Sequence, residues 1–408
     1  MLVPNKNTQA VTVLAVVGAG SKYETKQNNG ISHFVEHMFF KGTQKRPNTL
    51  VISEAIDRVG GFYNAFTQKE YTGYFAKVDS KHTDLALDWV SDIFLNSKID
   101  SKEIEKERGV IIEELNMYLD TPVRHIRDLF EELLYGDQPA GWEIIGTKEN
   151  LKKVQRKDFV DYIKNHYSAN NTIVCVSGNF SQEKMIMAIK RKFRTINKQK
   201  PQGKIKIIEK QKEPQIHLRF KETDQTHFCL GVRAFDLFSP KIYAQEILAT
   251  ILGGNMSSRL FIKVREKNGL AYYIKTDAES FTDSGYLVTQ AGIPHTALSK
   301  AVVMILKEYR GLAQKTITES ELKKAKDYLK GNLVLSLESS DALASFYAGQ
   351  ELLTGKILTL KEECAKIDKV KASEVREMAK EIFRKESLSL AVIGPHKNEN
   401  ELQKLMKL

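Results

Sequence analysis

The 408-residue chain runs through one plan twice, about a polar stretch at residues 198–212, and this repetition constrains its fold more than any other feature. In the first half, Gly73-Tyr74-Phe75-Ala76-Lys77-Val78 leads through His82-Thr83-Asp84-Leu85-Ala86-Leu87 into a helical pattern. A second helix then opens at Asp100-Ser101-Lys102-Glu103. In the second half, Gly285-Tyr286-Leu287-Val288-Thr289-Gln290 leads through His295-Thr296-Ala297-Leu298 into a helix, and then to Thr318-Glu319-Ser320-Glu321-Leu322-Lys323-Lys324. Each half closes on a strand-like run, Thr172-Ile173-Val174-Cys175-Val176-Ser177 and Ser387-Leu388-Ser389-Leu390-Ala391-Val392-Ile393. Strand patterns thus alternate with long helical ones in both halves. That order predicts an α+β protein of two homologous domains, residues 1–197 and 213–408, joined by the linker 198–212. Each domain is expected to be a mainly antiparallel sheet covered by helices on one side. Two cores of about 200 residues suit a chain too long for a single ordinary core.

Composition narrows the class further. Hydrophobic content of 42% and charged content of 28% are those of a soluble globular protein, and no apolar run approaches the ~18 residues of a membrane span. The three cysteines, Cys175, Cys229 and Cys364, are odd in number and far apart, which points to free thiols in a reducing compartment. Val11 to Val17 is interrupted by Thr12 and ends at Gly18-Ala19-Gly20, so it reads as a strand and turn and not as a signal peptide. A cytoplasmic location is the expectation. Gly18-x-Gly20 is no dinucleotide loop, because position 23 is Tyr and no helix signal follows. The net charge of +11 invites a nucleic-acid reading. The lysines are interleaved with glutamates, however, and the densest basic run falls in the linker around Pro201 and Gly203. No nucleic-acid partner is expected.

The chemistry is carried by His33-Phe34-Val35-Glu36-His37, an H-x-x-E-H sequence. Apolar Ile31, Phe34, Val35, Met38 and Phe39 recur at the spacing of a helix with one buried side, which leaves His33, Glu36 and His37 on the other. Two imidazoles four residues apart stand one turn apart on one face and can reach a single zinc ion. Glu36, a turn from His33, can serve as base toward a water beside that ion. The competing reading is a pair of unrelated surface histidines.

Catalytic zinc usually takes three protein ligands, and the next acidic segment is 101–114. Asp100 and Glu103 suggest a capping box, and Ile104, Ile111, Leu115 and Tyr118 recur at helical spacing. Glu107 and Glu114 are seven residues apart and project from nearly one line, with Glu113 about 100° round from Glu114. One of Glu113 and Glu114 is a candidate third ligand; the alternative is a solvated acidic face.

Several motifs, in order, resemble one family. They are His33 to His37 with Met38-Phe39-Phe40-Lys41-Gly42-Thr43; Gly60-Gly61-Phe62-Tyr63-Asn64-Ala65-Phe66-Thr67; and Glu107-Arg108-Gly109-Val110-Ile111-Ile112-Glu113-Glu114. They look like the pitrilysin family of zinc peptidases, whose inverted zinc motif defines the inverzincins. The nearest branch is that of bacterial processing proteases and the mitochondrial processing peptidase beta subunit. The resemblance runs nearly end to end, although family members usually begin with a further strand-forming segment, so this chain is expected to be a slightly shortened form. It implies one zinc per chain on His33, His37 and Glu114. The family's usual interval from the second histidine would land on Glu113, because residues 41–59 appear one residue longer here. Glu107 would be an auxiliary carboxylate behind the ligands, and Glu36 the general base.

The second half lacks the metal motif: its corresponding helix reads Gln245-Glu246-Ile247-Leu248-Ala249-Thr250-Ile251-Leu252-Gly253-Gly254. Val264-Arg265-Glu266-Lys267-Asn268-Gly269-Leu270-Ala271-Tyr272 instead resembles the family signature whose Arg and Tyr face the zinc, here Arg265 and Tyr272. Read alone, they are a helix-surface cation and a strand aromatic. Gly60-Gly61 reads as a turn into a strand with a free edge, on which the family lays its substrate as an added strand beside Asn64 and Ala65; alone, Asn64 is equally a turn residue. The resemblance implies a zinc-dependent metalloendopeptidase acting on peptides or unfolded, presequence-like segments. It also implies a homodimer with composite active sites, or a heterodimer with a homologous subunit. The rival is a non-catalytic core-type assembly subunit of the same fold.

Overall fold

The computed structural model describes residues 1–407. It contains two five-stranded sheets. The first is built from β1 (Leu2–Pro4), β2 (Ala10–Val17), β3 (Phe62–Thr67), β4 (Thr72–Asp79) and β5 (Thr172–Gly178). The second takes β6 (Gln215–Phe220), β7 (Thr226–Ala234), β8 (Tyr273–Ser280), β9 (Gly285–Ile293) and β10 (Leu388–Gly394). The strand orders are β1-β5-β2-β4-β3 and β6-β10-β7-β9-β8, the same topology written twice. In each sheet one pairing is parallel (β1 with β5, β6 with β10) and the rest are antiparallel. The α+β architecture of two homologous domains is therefore the one the repeats predict. No helix or strand occurs between Lys192 and Gln215.

The two compact units do not follow the chain in order. One comprises Met1–Met117, Trp142–Ile205 and Val334–Leu358; the other comprises Tyr118–Gly141, Lys206–Leu333 and Thr359–Leu408. Each unit thus takes one helical segment from the opposite half of the sequence. The reason lies in the strands. Val11 to Val17 are all at most 2% exposed, and a strand buried on both faces needs a cover on both. Successive residues point to opposite faces. Leu14 and Val16 pack with Cys175 against Ala344 and Ala348 of the helix Ser340–Thr354, where Thr12 Oγ1 also meets Ser340 Oγ at 2.8 Å. On the other face Tyr74, the cross-strand partner of Ala15, meets Phe94 of the helix Thr83–Asn96 edge-on.

The second unit repeats the arrangement. Cys229, Val288 and Ala391 pack against Ile126, Leu129 and Phe130 of the helix Pro122–Tyr135. The alternate residues Phe228, Leu230, Leu287 and Leu390 join the core with the helices Ile242–Gly253 and Ala372–Ile382. The expectation of helices on one side of each sheet is corrected: both faces are covered, and the second cover comes from the other half of the chain.

Candidate metal centre and active site

The H-x-x-E-H segment forms the helix Ile31–Met38. Ile31, Phe34, Val35, Met38 and the following Phe39 are at most 1% exposed. Phe34 meets Phe159 edge-on at 4.8 Å, and Phe39 stacks on Tyr74 at 4.8 Å. Burial of this stripe turns His33, Glu36 and His37 away from the core. The acidic helix Ser101–Leu119 buries Ile104, Ile111 and Leu115. Asp100 Oδ1 accepts the Lys102 N–H at 2.8 Å, while Glu103 takes Lys106, so the expected capping box is not the arrangement at its start.

The two helices bring three donor atoms together. His33 Nε2 and His37 Nε2 are 3.3 Å apart, and Glu114 Oε2 lies 3.8 Å from the first and 3.6 Å from the second. Around a tetrahedral zinc with bonds of about 2.0–2.1 Å, ligand atoms are separated by about 3.3–3.4 Å, so the triangle fits such an ion with small adjustment. It is the one such group of three among the described residues. Glu113, the residue favoured by counting, is exposed, and Asn116 Nδ2 approaches it at 3.4 Å.

Protonation states suit the same use. Burial, with the neighbouring His37 charge adding to it, pushes His33 down to about 3, so its ring is neutral and able to ligate. Glu107 Oε1 lies 2.9 Å from His37 Nδ1 and Glu107 Oε2 lies 2.5 Å from Lys41 Nζ. Burial works to raise the Glu107 carboxyl, but His37 and Lys41 outweigh it and hold it below the usual range. A carboxylate at Nδ1 fixes the proton there and leaves the Nε2 lone pair for a metal. Burial raises Glu114, with His37 opposing and Glu107 reinforcing the shift. Burial also raises Glu36, opposed chiefly by its hydrogen bond from Thr67 Oγ1 at the end of β3. Sequence reasoning assigned no role to Lys41 or Thr67. Lys41 lies three residues past the end of the helix Ile31–Met38, so helical spacing from His37 gave no signal for it.

Asn64 and Ala65 lie on β3, the last strand of its sheet. Asn64 is exposed, and its Oδ1 accepts the N–H of Ala65 at 2.9 Å, satisfying local backbone from within a strand. Phe62–Thr67 carries no charge, whereas its counterpart edge β8 carries Lys275, Asp277 and Glu279. Charges on an edge strand deter pairing with another chain, and β3 lacks that deterrent. Arg265 and Tyr272 belong to the second unit. Arg265 sits in the π-helical turn Phe261–Glu266 with its guanidinium 4.7 Å from the Phe261 ring centre. Tyr272 donates its N–H to Gly292 O at 3.1 Å and is 76% exposed.

The H-x-x-E-H order of His33, Glu36 and His37 on one helix is the signature of the inverzincin class of zinc peptidases. Residues 1–148 match the insulinase family, peptidase family M16, and residues 153–329 match its Peptidase M16 inactive domain. An uncharacterized zinc protease of Bacillus subtilis, YmxG, is 38% identical over 97% of this chain and 95% of its own length. One from Streptomyces coelicolor is 33% identical over 93% of this chain and 84% of its own. The chain belongs to peptidase family M16 and is a zinc protease. Among solved structures, a protease from Helicobacter pylori superposes with a TM-score of 0.89 at 24% identity, covering 97% of this chain and 96% of that one. A chain of complex III from Candida albicans, with a TM-score of 0.85 at 21% identity over 100% of this chain and 97% of its own, shares the fold. No helix among the described residues is long and apolar enough to cross a membrane.

Proposed function

We propose that the chain is an endopeptidase for unfolded or presequence-like peptides, with one zinc on His33, His37 and Glu114. The observation that carries this reading is the donor triangle with edges of 3.3, 3.6 and 3.8 Å. Zinc, when bound, supplies the Lewis acid that polarises a scissile carbonyl. Glu36 takes the proton of the attacking water and returns it to the leaving amine. The Thr67 hydroxyl holds Glu36 Oε2, while burial raises the carboxyl. Glu107 keeps His37 in the ligating tautomer. The uncharged β3 edge receives the substrate backbone at Asn64 and Ala65, and the Ala65 N–H exchanges its bond to Asn64 Oδ1 for one to the substrate. Arg265 and Tyr272, the latter largely exposed, stabilise the oxyanion or orient substrate carbonyls, and they are supplied by a partner copy in a homodimer.

The fold shared with a complex III chain supports a non-catalytic assembly role as the second reading, and the complete ligand set speaks against it. Removing zinc with a chelator should abolish internal cleavage of an unfolded basic peptide, and zinc should restore it; cleavage that survives chelation refutes the reading. Mixing Glu36→Gln with Tyr272→Phe chains tests the dimer. Activity above that of either variant is expected if sites are shared between copies, and no rescue on subunit exchange would contradict the composite site.

A further inference from the structure

The helix that carries both histidines cannot cap itself. Its N-cap is Gly30, which has no side chain to accept the first amides and sits in the left-handed region at φ 100°. A larger residue there is barred, since a Cβ would lie 2.6 Å from Ile145 O. Unpaired N–H groups at a buried helix start are costly, so they need an acceptor from elsewhere. Glu24, 1% exposed, provides it. Its Oε2 accepts the Gly30 N–H and Asn29 Nδ2, both at 2.9 Å, and its Oε1 accepts the Ser32 N–H at 2.8 Å. Ser32 is further held by Tyr162, hydroxyl to hydroxyl at 2.7 Å, and Asn29 Nδ2 also reaches Glu143 O at 3.0 Å.

Burial raises the Glu24 carboxyl, and the hydrogen bonds from Ser32, Gly30 and Asn29 work against that shift; the helix dipole and the charge-assisted bonds favour the carboxylate in the same way. The buried carboxylate is an expensive anchor for a helix of only eight residues. The first ligand, His33, follows Ser32 directly, and His37 lies about 6 Å further along the axis. A pivot at Ser32 therefore displaces both Nε2 atoms together relative to Glu114, which rides on a different helix.

We propose that Glu24 is a positioning residue for the metal centre: by clamping the backbone of Gly30 and Ser32 it sets the tilt at which His33 and His37 meet Glu114. This rests on the zinc assignment proposed above. In Glu24→Gln, one oxygen is replaced by an NH2 group that faces N–H donors, so the clamp is broken with almost no change in volume.

The test measures zinc affinity by chelator competition and the visible spectrum of the cobalt-substituted protein, in wild type, Glu24→Gln and Glu24→Asp. Thr12→Val serves as a control, because it removes a buried hydrogen bond on the opposite face of the first sheet. Glu24→Gln should bind zinc about tenfold or more weakly, in the range found for groups that orient ligands, and show an altered cobalt spectrum. The apo protein should also lose hydrogen-exchange protection at the amides of Gly30 and Ser32. Thr12→Val should lose melting temperature with zinc affinity unchanged. If Glu24→Gln fails to fold, Glu24→Asp, too short to span both amides, should show a smaller loss in the same direction. Zinc affinity and cobalt spectrum equal to wild type in either folded variant would overturn the proposal. Wild type that binds no zinc would instead sink the assignment on which it rests.

Discussion

Glu107→Gln isolates the charge behind His37. Glu107 is 6% exposed, lies 2.9 Å from His37 Nδ1, and holds Lys41 on its other oxygen. At this burial solvent screens the contact little. The amide can still accept from Nδ1–H, so ring orientation is kept while the anion that makes His37 a better ligand is lost. Losing such a partner costs about 10–100-fold in metal affinity, or about 1.4–2.8 kcal/mol. Glu107→Gln should fall near the tenfold end, and Glu107→Ala, which frees the ring as well, near the hundredfold end. Competition against a chromogenic chelator at neutral pH reads both. Affinities for the two variants within about twofold of wild type would show that the contact does not tune the metal site.

Phe130→Ala should cost about 3–5 kcal/mol. Although Phe130 belongs to the first half of the sequence, hydrogen exchange should rise in β7, β9 and β10, whose residues it packs with, and not in β2 or β5; loosening of β2 and β5 instead would contradict the exchanged helix. Asp88 bonds to Lys192, Lys45 and Arg46. Burial works to raise its carboxyl, but these three cations hold it well below the usual carboxylate range. A depressed folded pKa adds stability that is present above the unfolded value of about 3.9 and is lost as pH falls through the folded one. Asp88→Asn should therefore melt lower than wild type at pH 7, and the gap should close as pH is lowered below about 4; a gap that widens in acid would refute the assignment.

Much of this was legible from local pattern. The apolar stripe of the helix Ile31–Met38 and the seven-residue spacing of Glu107 and Glu114 specify faces directly, because helical periodicity is written in the chain itself. The repeated strand–helix order predicted two alike sheets for the same reason. The exchanged helices were not legible. Pro122–Tyr135 carries an apolar stripe and Ser340–Thr354 buries only small residues at Ser340, Ala344 and Ala348, and nothing local says which sheet either covers. The signal was indirect, in strands such as β2 that are apolar on both faces. Glu24 was hidden likewise: its partners are backbone amides six and eight residues on, reached only because Gly30 turns the chain back. The π-helical turn that carries Arg265 has no distinguishing local period over six residues.

The most direct test of the account is zinc content together with peptide hydrolysis in four proteins: wild type, Glu36→Gln, Glu113→Gln and Glu114→Gln. Wild type and Glu113→Gln should hold one zinc per chain and cleave, and Glu114→Gln should bind zinc weakly. Glu36→Gln should keep the metal and lose turnover by roughly 10²–10⁴. Loss of zinc in Glu113→Gln with retention in Glu114→Gln, or near-normal hydrolysis by Glu36→Gln, would contradict it.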